Sequence, residues 1–474
     1  MANIFGREQE IRQIKELVNS NQSEFVAVYG RRRVGKTYLI REYFNDNFAF
    51  YVSGTLQGDS AEQQKVFRRA LREYGSNQSN SKDWLDLFFE LEDLLKPKVE
   101  TGEKCIIFID ELPCFDTVRS GFLNALDHFW NAWASRYSNV KLFVCGSATS
   151  WMINKLINNH GGLHNRLTSQ IYLRPFTLSE TEQYLQSKDI YLEREMVVET
   201  YMALGGIPYY LNMLKKGESF AQTIDRIYFA PNASLQLEFN RLFASLFHSP
   251  EPYIDIIRVL SRNKQGLTRD EVATALHTTT SGRLSAILQD LVYCDFIRPY
   301  YVRNKSKVSK RECIYALTDM FSLFHLHFAD KALTNPYFWE DKAESSVIKT
   351  WQGLAFEQVV MHHVLQLKIA LGISGMAVEY YSWRSKKTEP KSQIDLILDR
   401  ADRIVNICEI KYSHEQYIID KDEAHKLKLR TQNFLYETDS HQTTHLTFIT
   451  PYGLRQNQYS LSVVKSLTLD YLFR

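Results

Sequence analysis

The chain has 474 residues, 44% hydrophobic and 24% charged. This is an ordinary globular mix, long enough for roughly two to four domains. A formal net charge of +2 excludes a nucleic-acid binder that works by overall charge, so such a partner must meet local patches. No apolar run reaches the length of a membrane-spanning helix, and the N-terminus MANIFGREQEIRQ lacks the apolar core of a signal peptide.

The six cysteines, Cys105, Cys114, Cys145, Cys294, Cys313 and Cys408, form no CxxC pair, and several sit in apolar runs. Reduced core thiols and a cytoplasmic protein are expected.

From Phe5-Gly6-Arg7-Glu8 a helix opens, with Ile11, Ile14 and Leu17 at three-residue spacing. Its place just upstream of the next strand makes it a candidate wall for an adenine ring. Phe25 to Tyr29 is a short apolar run of β-formers, a buried strand. Gly30-Arg31-Arg32-Arg33-Val34-Gly35-Lys36-Thr37 then fits G-x-x-x-x-G-K-[ST], and a helix from Tyr38 follows. Gly30 and Gly35 let the backbone turn so that successive N–H groups face one anion. The helix N-terminus adds its positive end. Lys36 is assigned to the β and γ phosphates of ATP, and the Thr37 hydroxyl to Mg²⁺.

A second strand is predicted over Phe48 to Ser53, then a long polar helical region from Ala61 to Lys98. Lys104 to Glu111 reads KCIIFIDE, an apolar run ending in two acids, as a buried parallel strand does at its carboxyl edge. Asp110 is assigned to the Mg²⁺ shell and Glu111 to polarising the attacking water. After the strand Val140 to Cys145, Ser147 and Thr149 both fit a γ-phosphate sensor, and both also fit helix capping before Trp151-Met152-Ile153. Arg166 fits an arginine finger, in cis or from a neighbouring subunit, and equally a surface arginine. The strand Gln170 to Leu173 follows. Gly205-Gly206-Ile207-Pro208-Tyr209-Tyr210-Leu211 is a turn between helices.

In this order FGRE, GRRRVGKT, FIDE, CGSATSWM and GGIPYYL resemble the archaeal and bacterial P-loop ATPases of the STAND type, within the AAA+-like group. The resemblance covers about residues 1 to 245. It implies a five-stranded parallel sheet with a helical lid, and a nucleotide switch binding ATP and ADP. It places Pro208 at the nucleotide and makes Arg166 a recurrent feature. His164-Asn165 departs from the Tyr-Gly common in relatives, which bears on the local loop shape.

Ser249-Pro250-Glu251-Pro252 marks a boundary. A helix over Tyr253 to Leu260, a capping box at Thr268-Arg269-Asp270-Glu271 and a third helix from Ser281 to Tyr293 follow. Two strands then flank Arg303 to Arg311, where five of nine residues are basic. Three helices and a basic hairpin read as a winged helix-turn-helix. The hairpin fits phosphate contact with DNA, or packing against another domain, while the third helix offers few base readers (Arg283, Ser285, Gln289).

Asp330 to Ser345 reads as a linker, Trp351 to Leu367 as a helix carrying Glu357, and Tyr380 to Lys391 as a loop. Ile394 to Leu398 and Ile404 to Lys411 form a β-hairpin. Glu409 and Lys411, two apart, share one face, and Asp395 on the partner strand is placed to meet them. Acids converging there can hold Mg²⁺ or Mn²⁺, and a neighbouring lysine can orient water. An ordinary hairpin with polar ends fits the same residues.

Helix Glu357, hairpin Asp395 and strand Glu409-x-Lys411, in this order, resemble the PD-(D/E)xK nuclease core. The resemblance implies metal binding by Glu357, Asp395 and Glu409, with Lys411 beside them. Lys426, Lys428 and Arg430 on a following helix could track a phosphate backbone, or form a solvated face. His362-His363 reads as a core or surface pair.

The expected architecture is α/β multidomain. A P-loop core spans 1–175, a lid 176–248, a winged helix 249–335 and an α/β nuclease-like domain 336–474. The expected function is an ATP-hydrolysing switch controlling a metal-dependent domain that acts on DNA, with oligomerisation open. A regulatory ATPase whose other domains only bind partners is the alternative.

Overall fold

The computed structural model describes residues 4–77, 81–147, 149–158, 166–263, 265–304, 307–332, 335–385 and 387–474, without the side chains of 302–312 and 329–332. The chain divides into two compact units. One is Met1–Pro175 with Ala244–His248; the other is Phe176–Phe243 with Ser249–Arg474.

In the first unit β1 (Glu24–Tyr29), β2 (Phe50–Ser53), β3 (Cys105–Asp110), β4 (Val140–Gly146) and β5 (Ser169–Tyr172) form a five-stranded sheet in the order β2-β3-β4-β1-β5. Every pairing is parallel, as expected for the P-loop class. β3 and β4 are buried along their whole length, because helices cover both faces of such a sheet. The helices are α1 (Glu8–Asn19), α2 (Lys36–Phe44), α3 (Ser60–Glu73), α4 (Trp84–Glu100), α5 (Phe122–His128) and the short α6 (Thr149–Trp151). The polar stretch after residue 60 is thus two helices, started by the side chains of Asp59 and Asp83, which accept from Glu62 N–H and Asp86 N–H. Phe25, Phe50, Phe67, Trp84, Phe88 and Phe122 join strands to helices in one aromatic core.

The second unit opens with α7 (Leu178–Gln186), α8 (Arg194–Leu204), α9 (Pro208–Leu211), α10 (Phe220–Ile224) and α11 (Glu238–Leu246) as far as Phe243. Gly206 sits where a Cβ would lie 2.0 Å from the Phe176 carbonyl oxygen, so only glycine permits the Phe176 N–H to reach the Gly206 carbonyl at 2.6 Å. Next come α12 (Glu251–Ser261), β6 (Leu267–Thr268), α13 (Arg269–Ala275), α14 (Gly282–Tyr293), β7 (Ile297–Asn304) and β8 (Lys307–Leu317). The three strands form one antiparallel sheet in the order β6-β8-β7. The capping box expected at Thr268 and Glu271 is present.

After α15 (Met320–Ala332) the expected linker instead contains a helix, α16 (Phe338–Lys342). Its Phe338 and Trp339 are buried against Phe229, Phe324, Phe328 and Trp351. The Asn335-Pro336 punctuation is real, but two large aromatics directly after it bind the segment to the core. The helix expected from Trp351 to Leu367 is two, α17 (Ser346–His362) and α18 (Val364–Ala370), separated at His363.

The loop expected at Tyr380 to Lys391 is in its first part a strand, β9 (Val378–Arg384). Tyr381 and Trp383 alternate inward, and the arginine and lysines nearby hid that period of two. β9, β10 (Gln393–Arg400), β11 (Ile404–Ile410), β12 (Thr443–Ile449) and β13 (Val463–Leu467) form a mixed five-stranded sheet in the order β13-β12-β11-β10-β9. The hairpin β10–β11 is antiparallel; β12 and β13 join in parallel, with α19 (Lys421–Thr438) crossing over after β11.

Candidate nucleotide site and C-terminal carboxylate site

The glycine loop leaves the carboxyl end of β1 and starts α2. Gly30 has φ +143°, and a Cβ there would sit 2.2 Å from the Leu173 carbonyl oxygen. Gly35, at φ +92°, is the N-cap of α2. Both positions demand glycine. Lys36 is buried, and its ammonium donates to the carbonyls of Gly30 and Arg31, each at 2.9 Å. Thr37 Oγ1 donates to Asp110 Oδ2 at 2.8 Å, tying the loop to the end of β3.

Asp110 is buried, and burial pushes its carboxyl up from the usual range, with the Thr37 hydrogen bond opposing. A buried carboxylate beside a threonine hydroxyl at the mouth of a phosphate-binding loop fits Mg²⁺, which prefers such oxygen donors. Glu111 follows in a left-handed turn, φ 47°. Its carboxylate accepts from Ser147 N–H at 3.2 Å and from Ser147 Oγ at 2.8 Å. Because β4 lies between β3 and β1, Glu111, Ser147 and the loop meet on one sheet edge. Ser147 therefore serves as partner to Glu111 rather than as a helix cap, and Thr149 lies buried two residues on.

Among the other nucleotide-loop residues, Arg31 and Val34 are buried, Arg32 and Arg33 are partly buried, and Tyr38 is exposed. Arg7, given no role by the sequence, is buried with φ +62°, and its guanidinium donates to the Val34 carbonyl at 3.2 Å. Only its place in the FGRE string hinted at it. Arg166 is exposed in the turn before β5, while His164 and Asn165 lie outside the described residues. Pro208 is the first residue of α9, in the second unit.

The C-terminal acids lie on the β10–β11 hairpin. Leu396 pairs with Cys408, and this register sets Asp395 beside Glu409. Burial first, and then the Glu409 charge, push Asp395 up to about 6. Gln393 Nε2 donates to Asp395 Oδ1 at 2.9 Å. Glu409 is buried between two cations, Lys411 Nζ at 2.9 Å and the Arg430 guanidinium at 2.6 Å. Lys411 also lies 3.5 Å from Glu423 on α19.

Arg430, expected to track phosphates or lie on a solvated face, is instead committed to Glu409, whereas Lys426 and Lys428 on the same helix are exposed. Glu357 is partly buried on α17. Among the described residues no group of three or more His, Cys, Asp or Glu side chains is placed to hold a metal ion. Asp395 and Glu409 thus lie side by side on the hairpin, and burial together with the Glu409 charge makes Asp395 protonate more readily. Glu423, Gln393 and the contact of Arg430 with Glu409 were missed because spacing along the sequence does not reveal which helix crosses a strand end.

His363 is a core residue. Its Nε2 accepts from the Leu178 N–H at 2.9 Å, its Nδ1 lies 2.7 Å from the Val359 carbonyl, and burial pushes its pKa down to about 4. No described helix is long and apolar enough to cross a membrane.

Residues 4–214 match the family model described as an ATPase domain predominantly from Archaea. The chain is 26% identical to an uncharacterized protein of Methanocaldococcus jannaschii over 415 residues, which is 86% of this chain and 87% of that one. Among solved structures it is similar to a Walker-type ATPase of Pyrococcus abyssi, with 20% identity, TM-score 0.49, and coverage of 68% of this chain and 96% of that one. It is also similar to the ORC2 protein of Aeropyrum pernix, with 12% identity, TM-score 0.42, and coverage of 70% and 94%. The glycine loop, the Thr37–Asp110 bond and the family match over the same residues together make this protein a P-loop ATPase that binds and hydrolyses ATP.

Proposed function

We propose that ATP turnover in the first unit controls a metal-dependent, nuclease-like C-terminal domain that acts on DNA. The observation that carries this reading is the β10–β11 hairpin, where Asp395 is set beside Glu409 and Lys411 follows two residues on. That order and spacing match the nuclease core that the sequence resembles.

At the nucleotide site the loop N–H groups and Lys36 bind the phosphates, and Thr37 and Asp110 would hold Mg²⁺. Mg²⁺ supplies charge neutralisation at the phosphate oxygens. Glu111 orients and polarises the attacking water, Ser147 sits beside it as sensor, Arg166 supplies a finger, and Pro208 is the lid residue that the family resemblance assigns to nucleotide binding. At the C-terminal site Asp395, Glu409 and Glu357 would hold Mg²⁺ or Mn²⁺, and Lys411 would position a water near the scissile phosphate. The helices and three-stranded sheet of 249–335 serve as a winged helix. Its basic hairpin, Arg303 to Arg311, whose side chains lie outside the description, contacts DNA phosphates.

The test is cleavage of supercoiled and single-stranded DNA with Mg²⁺ or Mn²⁺, with and without ATP. Wild type should cleave in an ATP-responsive way, and Asp395→Ala should not. Cleavage that survives in purified Asp395→Ala sinks the assignment.

A regulatory ATPase is the second reading. Glu409 favours it, since Lys411 and Arg430 already neutralise that carboxylate. In that case the C-terminal sheet only binds a partner, and no condition yields cleavage.

A further inference from the structure

The loop from Gly30 to Thr37 carries four cations, Arg31, Arg32, Arg33 and Lys36, and no acid. Lys36 is held by the carbonyls of Gly30 and Arg31, and Arg31 and Arg33 are engaged with neighbouring groups. Arg32 is placed differently. Its side chain is partly exposed, yet Nη1 is shielded from solvent and donates to no described residue. No described acid pairs with this guanidinium. A cation partly out of water with an unmatched donor is costly unless an anion meets it.

The surroundings of Arg32 indicate which anion that is. β4 pairs with β1 so that Gly146 is level with Tyr29, the last residue before the loop. A Cβ at Gly146 would lie 2.8 Å from Pro113 Cδ, so the turn Leu112–Cys114 rests on the end of β4, beside the loop. Glu111 opens that turn, and its carbonyl accepts from Cys114 N–H at 2.9 Å. Burial pushes the Cys114 thiol up to about 12, Glu111 and then Asp110 add to the rise, and the Arg32 charge opposes it. Arg32 therefore extends from the loop to the sheet edge that holds the Thr37–Asp110 and Glu111–Ser147 pairs.

We propose that Arg32 is a catalytic residue of the ATPase, its guanidinium binding the γ-phosphate and neutralising the charge that builds there as water attacks. The water oxygen bonds to the γ-phosphorus as the bond from that phosphorus to the ADP oxygen breaks. The electron pair leaves with ADP, and both water protons stay with the released phosphate. Arg32 keeps its own proton throughout. The loop thus supplies an arginine of its own, independent of Arg166. This role rests on the ATPase assignment and not on the nuclease-like reading.

The test is steady-state ATP hydrolysis by the full chain with Mg²⁺, beside calorimetric titration of ADP alone and of ADP with aluminium fluoride, which mimics the phosphoryl group in transfer. Arg32→Gln should lower kcat about 100-fold, the scale of one electrostatic donor to a transition state. Its affinity for ADP should stay within about threefold of wild type, while its affinity for ADP with aluminium fluoride falls at least about tenfold. Arg32→Lys should keep more turnover than Arg32→Gln, because it retains the charge without the planar fork. If the thermal midpoint shows that Arg32→Gln does not fold, Arg32→Lys carries the test, with at least a tenfold loss of kcat expected. Turnover within threefold of wild type in the folded variant that carries the test overturns the proposal. So does an ADP affinity that falls as far as the aluminium fluoride affinity, since Arg32 would then only shape the loop. Glu111→Gln, run alongside, reports separately on the water-polarising role, and wild-type turnover there fails that role while the Arg32 result stands.

Discussion

Lys36 donates to two carbonyls of its own loop, Gly30 and Arg31, with its ammonium buried. These are the bonds that hold the side chain across the loop, where the phosphates arrive. Lys36→Ala removes a charge-assisted contact whose scale is ~1.5–3 kcal/mol. ATP affinity should therefore fall on the order of 10- to 100-fold, measured by calorimetry. Glu111 is a different case, because Ser147 grips its carboxylate with both a backbone N–H and a hydroxyl. Glu111→Gln keeps an oxygen that can accept those bonds and loses only the charge. ATP binding should stay near wild type while turnover drops by ~100-fold or more, the scale of a lost general base. Wild-type turnover in that variant would move the water-polarising role to another residue. The loop, the strand and the acid pair were legible in the sequence because each is a local string. The Arg7 contact to Val34 was not, since it joins residues 27 apart through a fold that no local pattern encodes.

At the scale of elements, His363 breaks one predicted helix into two and anchors the start of another. Its Nε2 accepts from the first N–H of α7, so Nδ1 carries the proton and donates to the Val359 carbonyl. Protonation destroys that arrangement. The folded pKa, about 4, lies below the ordinary histidine value of 6.5. The unfolded chain thus binds the proton more readily. The stability that neutral His363 contributes is full above about pH 6.5 and is lost progressively as pH falls towards about 4. His325, also pushed down to about 4 by burial and then Arg258, adds a loss of the same sign. Asp395, raised to about 6, has the opposite sign and offsets part of it. Comparing wild type with His363→Gln isolates one group. The variant should be less stable at pH 7 and should lose less of its thermal midpoint between pH 6.5 and 4.5. Equal slopes would remove His363 from this account. Neither this anchor nor α16 was legible beforehand. Periodicity locates an amphipathic helix, but a helix buried all round, or a short one held by Phe338 and Trp339, carries no period to find.

At the scale of the whole molecule, residues 176–243 and 249–474, which hold the expected lid, winged helix and C-terminal domain, fall in one compact unit. The strings GGIPYYL and CEIK could not reveal this, because packing between distant segments leaves no local trace. The contacts are specific. Glu199 of α8 accepts from Gln352 Nε2 at 2.8 Å and from the Tyr412 hydroxyl at 3.5 Å. Glu195, one turn earlier, pairs with His414 Nδ1 at 2.7 Å and with the Tyr452 hydroxyl. Tyr412 and His414 lie one and three residues beyond Lys411 on the segment that leaves β11. These bonds tie α8 to the segment that leaves β11, the strand carrying Glu409. A ligand shifts such an equilibrium only through differential affinity for the two arrangements, so these polar contacts are where the coupling free energy should reside. Glu195→Gln with Glu199→Gln weakens them without touching the glycine loop or the β10–β11 acids. If the C-terminal site cleaves DNA under ATP control, the double variant should keep ATP turnover and ATP-free cleavage within about twofold. Its ATP response should shrink several-fold, since couplings of this kind are worth ~1–3 kcal/mol. An unchanged ATP response, measured beside wild type in the same cleavage assay, would show that the nucleotide signal travels by a route other than α8.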